Sequence, residues 1–272
     1  CDLAINEALE LEADLIVHLG HSEFIHGDVA VPVLYIHAKV YIKIPKLIEA
    51  ITPELHEWRK IGLVSTIQHA HQLPEIALAL REEGFEPEIG KAMDEAAYPG
   101  QVLGCNYRTI EDLPDIDGFL FVGPGRFHPI GLGIASHRPV LAVNPYNGTI
   151  EMIKSKDIMN IAKKRMAAVT HSKDAEKISI IVSMKPGQLR LDTANKLKSK
   201  FEENGNEVVI ISMDEVRAES LENFSEVDAF IVTACPRIVI DGLAGMKTPL
   251  LTLSEALVIL GELKWEELWE SG

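Results

Sequence analysis

Basic residues are scarce in this sequence, where 26 Lys and Arg stand against 41 Asp and Glu for a formal net charge of -15. Such a surface repels phosphate backbones and anionic lipid. No local basic run offsets the repulsion, which argues against a nucleic-acid or membrane partner. Long apolar runs are missing too: stretches such as Gly118 to Val122 and Ala229 to Ala234 fall far short of the roughly 20 residues that span a bilayer. Cysteine is limited to Cys1, Cys105 and Cys235, separated by 104 and 130 positions. An odd number at these distances fits neither a secreted disulfide framework nor a CxxC zinc pair, and it points to a reducing, cytoplasmic compartment. The sequence opens on Cys1 rather than Met, with neither a charged segment nor an apolar one behind it. No targeting peptide is read from this end, and the native start is expected upstream.

What remains is a chain of 272 residues, 47% hydrophobic and 25% charged, long enough for two or three small domains and too apolar for disorder. Apolar runs bounded by Gly, Pro and Asp alternate with helical periodicity, the pattern of an α/β protein with buried parallel strands. Expected strands are Asp14 to Leu19, Val33 to His37, Ile61 to Ile67, Gly118 to Val122, Val140 to Val143, Ile178 to Met184, Val208 to Met213, Ala229 to Thr233 and Pro249 to Leu253. Helices are expected at Leu73 to Glu83, ended by Gly84, and at Leu189 to Glu203, ended near Gly205.

Three of these strands share an opening Asp and a polar or Gly-rich ending: DLIVHLGHS from Asp14, DGFLFVGPG from Asp117 and DAFIVTACP from Asp228. A second strand follows each, led by Pro32, Pro139 and Pro249 at offsets of 18, 22 and 21 residues. This reads as one unit used three times, with boundaries near residues 60 and 173, giving regions 1–60, 61–172 and 173–272. The second and third units open with an extra strand and helix that the first lacks. By analogy of repeat length, roughly 40 to 60 native residues are expected before Cys1.

One cysteine falls in each unit. Carboxyl ends of strands form the ligand crevice of open α/β sheets, so three facing units bring three distant thiols within reach of one centre. Thiolates suit Fe-S clusters, and three of them leave a fourth metal position open. The competing reading is three unrelated core thiols, since Cys is often buried. The segment from Gly123 through Gly125, Arg126 and His128 follows a strand and resembles a backbone-amide cradle for an anion, or else a bare turn. It lacks the glycine spacing of a dinucleotide fingerprint. Lys185 and Gln188 occupy a strand end where they can meet a carboxylate or nucleotide, or form a solvated loop. His18 and His21 have HxxH spacing but no helix and no nearby third ligand, which favours a hydrogen-bonded loop pair over a metal site. The segment Trp265 to Trp269 reads as a partner-binding or domain-packing helix.

ADLIVHLGHS (13–22), Gly104-Cys105-Asn106, FVGPGRFHPIGLGIA (121–135), SMKPGQLR (183–190) and TACPRIVID (233–241), in this order, resemble the archaeal diphthamide synthase family, the 2-(3-amino-3-carboxypropyl)histidine synthases. The resemblance runs from Cys1 to about Leu260. It implies three similar Rossmann-like α/β domains with parallel sheets around a central cluster site, the first domain lacking its amino-terminal opening. Each domain would supply one ligand, Cys1, Cys105 or Cys235, to a 4Fe-4S cluster in a homodimer. The implied activity is a non-conventional radical transfer of the 3-amino-3-carboxypropyl group of S-adenosylmethionine to a histidine of translation elongation factor 2. An external electron donor is required, and the step is the first of diphthamide formation. Gly123, Gly125, Arg126, His128, Lys185, Gln188 and Arg237 are the expected S-adenosylmethionine contacts, because cations and amide donors at strand ends suit an anionic methionine end. Two other classes stay open: a non-catalytic cluster-carrying or electron-transfer subunit, and a metal-free nucleotide-dependent transferase with three core cysteines.

Overall fold

The computed structural model describes residues 2–25, 28–113 and 115–269. They group into two compact units, Ala4–Ile158 and Met159–Gly272, the latter joined by Cys1–Leu3. In the first unit β1 (Ile16–Leu19) and β2 (Val33–Ile36) form a parallel pair. A second sheet holds β3 (Lys60–Ser65), β4 (Glu86–Glu88), β5 (Gly118–Val122), β6 (Val140–Val143) and β7 (Ile150–Ile153) in the order β4-β3-β5-β6-β7. All of its neighbours are parallel except β6 and β7. The second unit carries β8 (Lys177–Ser183), β9 (Glu207–Met213), β10 (Ala229–Val232) and β11 (Leu250–Thr252), all parallel, in the order β11-β10-β8-β9.

Burial explains why the central strands read as continuous apolar runs. β5, β6 and β10 are buried at every position, as is β3 from Ile61 and β8 from Ile178. On one face of the five-stranded sheet, Leu63, Leu120, Val122 and Leu141 pack with Leu47 and Ile51 of the helix Ile44–Ile51 and with Leu73, Ile76 and Leu80 of the helix Leu73–Glu82. On the other, Phe119, Phe121 and Val140 pack with Leu132 of the helix Phe127–Ser136. In the second unit Ile181, Phe230, Val232 and Leu250 gather with Val239 of the helix Pro236–Asp241.

The repeated Asp has a mechanical reason. Asp117 accepts the backbone N–H groups of Arg59 and Lys60 at 2.7 and 2.8 Å, and Asp228 accepts those of Glu176 and Lys177 at 3.0 and 2.8 Å. Each carboxylate fastens the start of its own strand to the start of the neighbouring one. The repeated Pro is fixed in the same way: the N–H groups of Ile16, Phe119 and Phe230 donate to the carbonyls of Pro32, Pro139 and Pro249, each at 2.9 Å.

Several boundaries move by a residue or two. The strand expected to run to Ile67 stops at Ser65, because Thr66 already leads into the helix Ile67–Ala70. The strand expected to reach Leu253 stops at Thr252, whose side chain accepts the Glu255 N–H in a capping box that opens the helix Leu253–Ile259. The helix expected from Leu189 begins at Leu191, after a 3-10 turn at Pro186–Gln188. β4, the tripeptide Glu-Pro-Glu, and the antiparallel β7, which carries Glu151, are additions. No helix among the described residues is long and apolar enough to cross a membrane.

Candidate functional site

In both larger sheets the strand order reverses once, between β3 and β5 and between β8 and β10. The crevice beyond the carboxyl ends at such a reversal is where open α/β sheets bind ligands. In the first unit the long connection from β4 to β5 returns to that edge, with Ser65 donating its N–H to the Gly100 carbonyl and accepting from Val102, both at 2.9 Å. Cys105 follows, exposed, within a turn closed by reciprocal backbone bonds between Leu103 and Asn106. Gly104 makes this approach close: a Cβ there would lie 2.1 Å from the Phe127 ring, so any other residue would have to displace that ring at the start of the helix Phe127–Ser136. The Cys105 turn and the Gly123–His128 loop are thereby adjacent.

That loop leaves β5 with the Gly123 N–H donated to the Val143 carbonyl at 2.9 Å. Gly125 holds φ at +74° with open space around it, the left-handed turn that lets the chain enter the helix. Arg126 precedes the first helical residue, and its guanidinium makes a two-point pair with Glu151, Nε to Oε2 at 3.0 Å and Nη2 to Oε1 at 2.8 Å. The His128 ring stacks on Phe121 at 5.9 Å between centroids. Side-chain amides tie the β1 and β2 ends to the same edge. The Gln68 side chain donates to the Gly20 carbonyl at 3.1 Å, while its main-chain carbonyl accepts the Val40 N–H at 3.0 Å; the Gln101 side chain donates to the Ser22 hydroxyl at 3.0 Å. His69, fully buried, is held by the Val40 carbonyl at 3.1 Å, and burial pushes its pKa below the usual imidazole value.

In the second unit Cys235 is half-buried and stands immediately before the helix Pro236–Asp241, three residues beyond β10. The adjacent strand β8 ends at Ser183, and Lys185 and Gln188 lie in the turn beyond it, so these residues and Cys235 share one carboxyl edge. Lys185 is paired with Asp2 at 3.1 Å. Arg237 is buried, 4% exposed, and pairs with Asp241 one helical turn on at 2.5 Å.

The expected cations thus carry acidic partners supplied by distant or local residues that sequence spacing did not single out: Glu151, Asp2 and Asp241. The Arg126–Glu151 pair is exposed, and such pairs contribute only about 0–1 kcal/mol, so exchange of Glu151 for another carboxylate costs little. Arg237 is desolvated and far harder to re-pair. His18 and His21, with ring centroids 4.8 Å apart, stand with Phe24 and Tyr35 in an aromatic group. Among the described residues no three His, Cys, Asp or Glu side chains converge on a common point; Cys1 lies outside the described residues. The donor chemistry fits a sulfide cluster, since Cys105, which is exposed, and Cys235 are soft ligands at the carboxyl edges of parallel sheets.

A family model for diphthamide synthesis proteins matches residues 1–270. The chain is 37% identical over 265 residues to the 2-(3-amino-3-carboxypropyl)histidine synthase of Pyrococcus horikoshii, a match covering 96% of this chain and 75% of that protein. It is 30% identical to subunit 1 of the corresponding Schizosaccharomyces pombe synthase, covering 96% and 61%. Among solved structures it resembles Dph2 from Pyrococcus horikoshii, with a TM-score of 0.84 and 36% identity over 97% of this chain and 76% of that one. The same likeness holds for the Dph2 crystal structure with a 4Fe-4S cluster, of which 75% is covered.

Proposed function

Because the chain belongs to the diphthamide synthesis protein family, we propose that it transfers the 3-amino-3-carboxypropyl group of S-adenosylmethionine to a histidine of translation elongation factor 2. The observation that carries this reading is the position of Cys105 and Cys235, each at a carboxyl edge beside a strand-order reversal. Cys1, Cys105 and Cys235 are the proposed ligands of a 4Fe-4S cluster, one from each of three repeated regions, 1–60, 61–172 and 173–272. The 4Fe-4S group that the Dph2 relative holds supplies, when bound, the electron for radical cleavage of the sulfonium.

The chain's own residues bind and orient. Gly123 and Gly125 give the loop its close backbone approach, and Arg126 exchanges Glu151 for the methionine carboxylate. His128, braced on Phe121, borders that position. Gln188 offers an amide donor at the β8 edge. Lys185 and Arg237 act through their acidic partners: Lys185 fastens Asp2, the residue after Cys1 in sequence, and Arg237 stiffens the turn after Cys235 through Asp241. A homodimer and an external electron donor complete the proposal.

The test is an anaerobic preparation with dithionite, S-adenosylmethionine and elongation factor 2. Absorption at about 400 nm, the Fe-S charge-transfer region, methylthioadenosine as product and a modified histidine are expected, and Cys105→Ala and Cys235→Ala each lose the iron. A colourless, iron-free wild type, or deoxyadenosine as the main nucleoside, overturns the reading.

A further inference from the structure

Among its described residues the connection from β4 to β5 holds one single-residue bridge, Gln101 to Ser65, and one 3-10 turn, at Arg108–Ile110, and between them it carries Cys105. A ligand on such a segment needs fastening from outside the regular structure; Glu111 holds Arg108 from within the same turn at 3.2 Å, and Asp94 reaches both Arg108 and Asn106 from further back in the chain. Asp94 Oδ2 accepts from Asn106 Nδ2 at 3.0 Å and from Arg108 Nη1 at 3.0 Å, while Oδ1 accepts from Arg108 Nη1 at 2.9 Å. Asn106 Oδ1 in turn accepts the Arg108 N–H at 3.0 Å, and the Asn106 backbone closes the turn on Leu103. Asp94 has φ at +51°, a left-handed conformation that Asp tolerates better than most residues.

The other end of the array is anchored. Glu95, next to Asp94, accepts the Ser22 hydroxyl at 2.5 Å through its carbonyl, and Gln101 accepts the N–H groups of Ala97 and Tyr98 at 2.8 and 3.2 Å. Hydrogen bonds thus run from the carboxyl end of β1, through residues 94–101, to the residue that follows Cys105. The Asp94–Arg108 pair is exposed, with side-chain accessibilities of 35% and 49%. Exposed pairs add little to global stability, so three bonds converging on Asp94 order a loop rather than hold the fold.

We propose that Asp94 is a positioning residue for Cys105, fixing Asn106 and Arg108 so that the thiol meets the cluster in one orientation. The inference rests on the function proposed above and adds a residue to it. In full-length, anaerobically purified protein, Asp94→Ala and Asn106→Ala are compared with wild type by amide hydrogen exchange over residues 103–108 and by electron paramagnetic resonance of the reduced cluster. Asp94→Ala should speed exchange of the Leu103, Asn106 and Arg108 amides by about tenfold, as loss of one charge-assisted hydrogen bond gives, and should shift or broaden the resonance. Asp94→Asn keeps one acceptor oxygen and should fall between. Asn106→Ala leaves the Asp94–Arg108 pair intact and should reproduce the effects even if Asp94→Ala fails to fold. Wild-type exchange and an unaltered resonance in these variants overturn the assignment of Asp94 alone. An iron-free wild type overturns the function and this assignment together.

Discussion

Glu255→Ala should be among the most destabilising single substitutions in the second unit. Its carboxylate, 1% exposed, receives Arg165 through two parallel bonds, Nε to Oε1 at 2.8 Å and Nη2 to Oε2 at 2.7 Å. Arg165, 10% exposed, also donates to the Leu250 carbonyl at 2.5 Å and the Val239 carbonyl at 3.4 Å. One side chain therefore ties the helix Ser155–His171 to β11 and to the helix behind Cys235. Removing Glu255 leaves a desolvated guanidinium without its counterion, which costs about 3–5 kcal/mol. The Thr252 N–H also loses its acceptor at 2.8 Å, a capping loss of about 1 kcal/mol. Total stabilities of domains run about 5–15 kcal/mol, so urea unfolding followed by circular dichroism should register a large drop in midpoint. Replacing both partners by Met should cost far less than the sum of the single changes, because no orphaned charge remains. A loss under about 1 kcal/mol for Glu255→Ala, the range of an exposed pair, would refute the reasoning.

Arg126→Ala should raise KM for S-adenosylmethionine by about tenfold or more, the loss of one charge-assisted hydrogen bond, with kcat little changed; an unaltered KM removes Arg126 from the carboxylate site. Asp117 is held below the usual carboxylate pKa by the N–H groups of Arg59 and Lys60. Its folded pKa lies below its unfolded one, so its contribution is full above the unfolded value near 3.9 and is lost as pH falls through the folded value. The stability gap between wild type and Asp117→Asn should close on acidification below about pH 4, and a gap constant across that range in urea titrations would contradict the linkage.

The α/β class and the central strands were legible because buried parallel strands are apolar on both faces, as Gly118–Val122 and Val140–Val143 illustrate, whereas Ile16–Leu19, Val33–Ile36 and Glu207–Met213 are apolar runs that stay partly exposed. Glu86–Glu88 and Ile150–Ile153 escaped notice: each is an outer strand, free to carry Glu, and each is too short for periodicity to register. Candidate cations were found by residue type at strand ends. The partners of Arg126 and Lys185 were not, since Glu151 lies 25 residues from Arg126 and Asp2 stands near the start of the chain, far from Lys185 in sequence; Arg108, 14 residues from Asp94, was not singled out at all. Side-chain pairing at such distances depends on where the sheet edge folds the chain back.

The cysteines show why their spacing matches no compact motif. Cys105 precedes the third strand of its sheet and reaches the carboxyl edge by backbone pairing of residues 100–102 with Ser65. Cys235 follows the third strand of its sheet and reaches the edge by leaving β10 directly into a helix. The repeat supplies Asp117 and Asp228 at equivalent positions because both perform one structural task, fastening strand starts. It does not supply equivalent cysteines. What the two thiols share is a destination, the carboxyl edge at a strand-order reversal, and the proposed ligand set, being defined by destination, leaves no fixed spacing for a sequence pattern to carry.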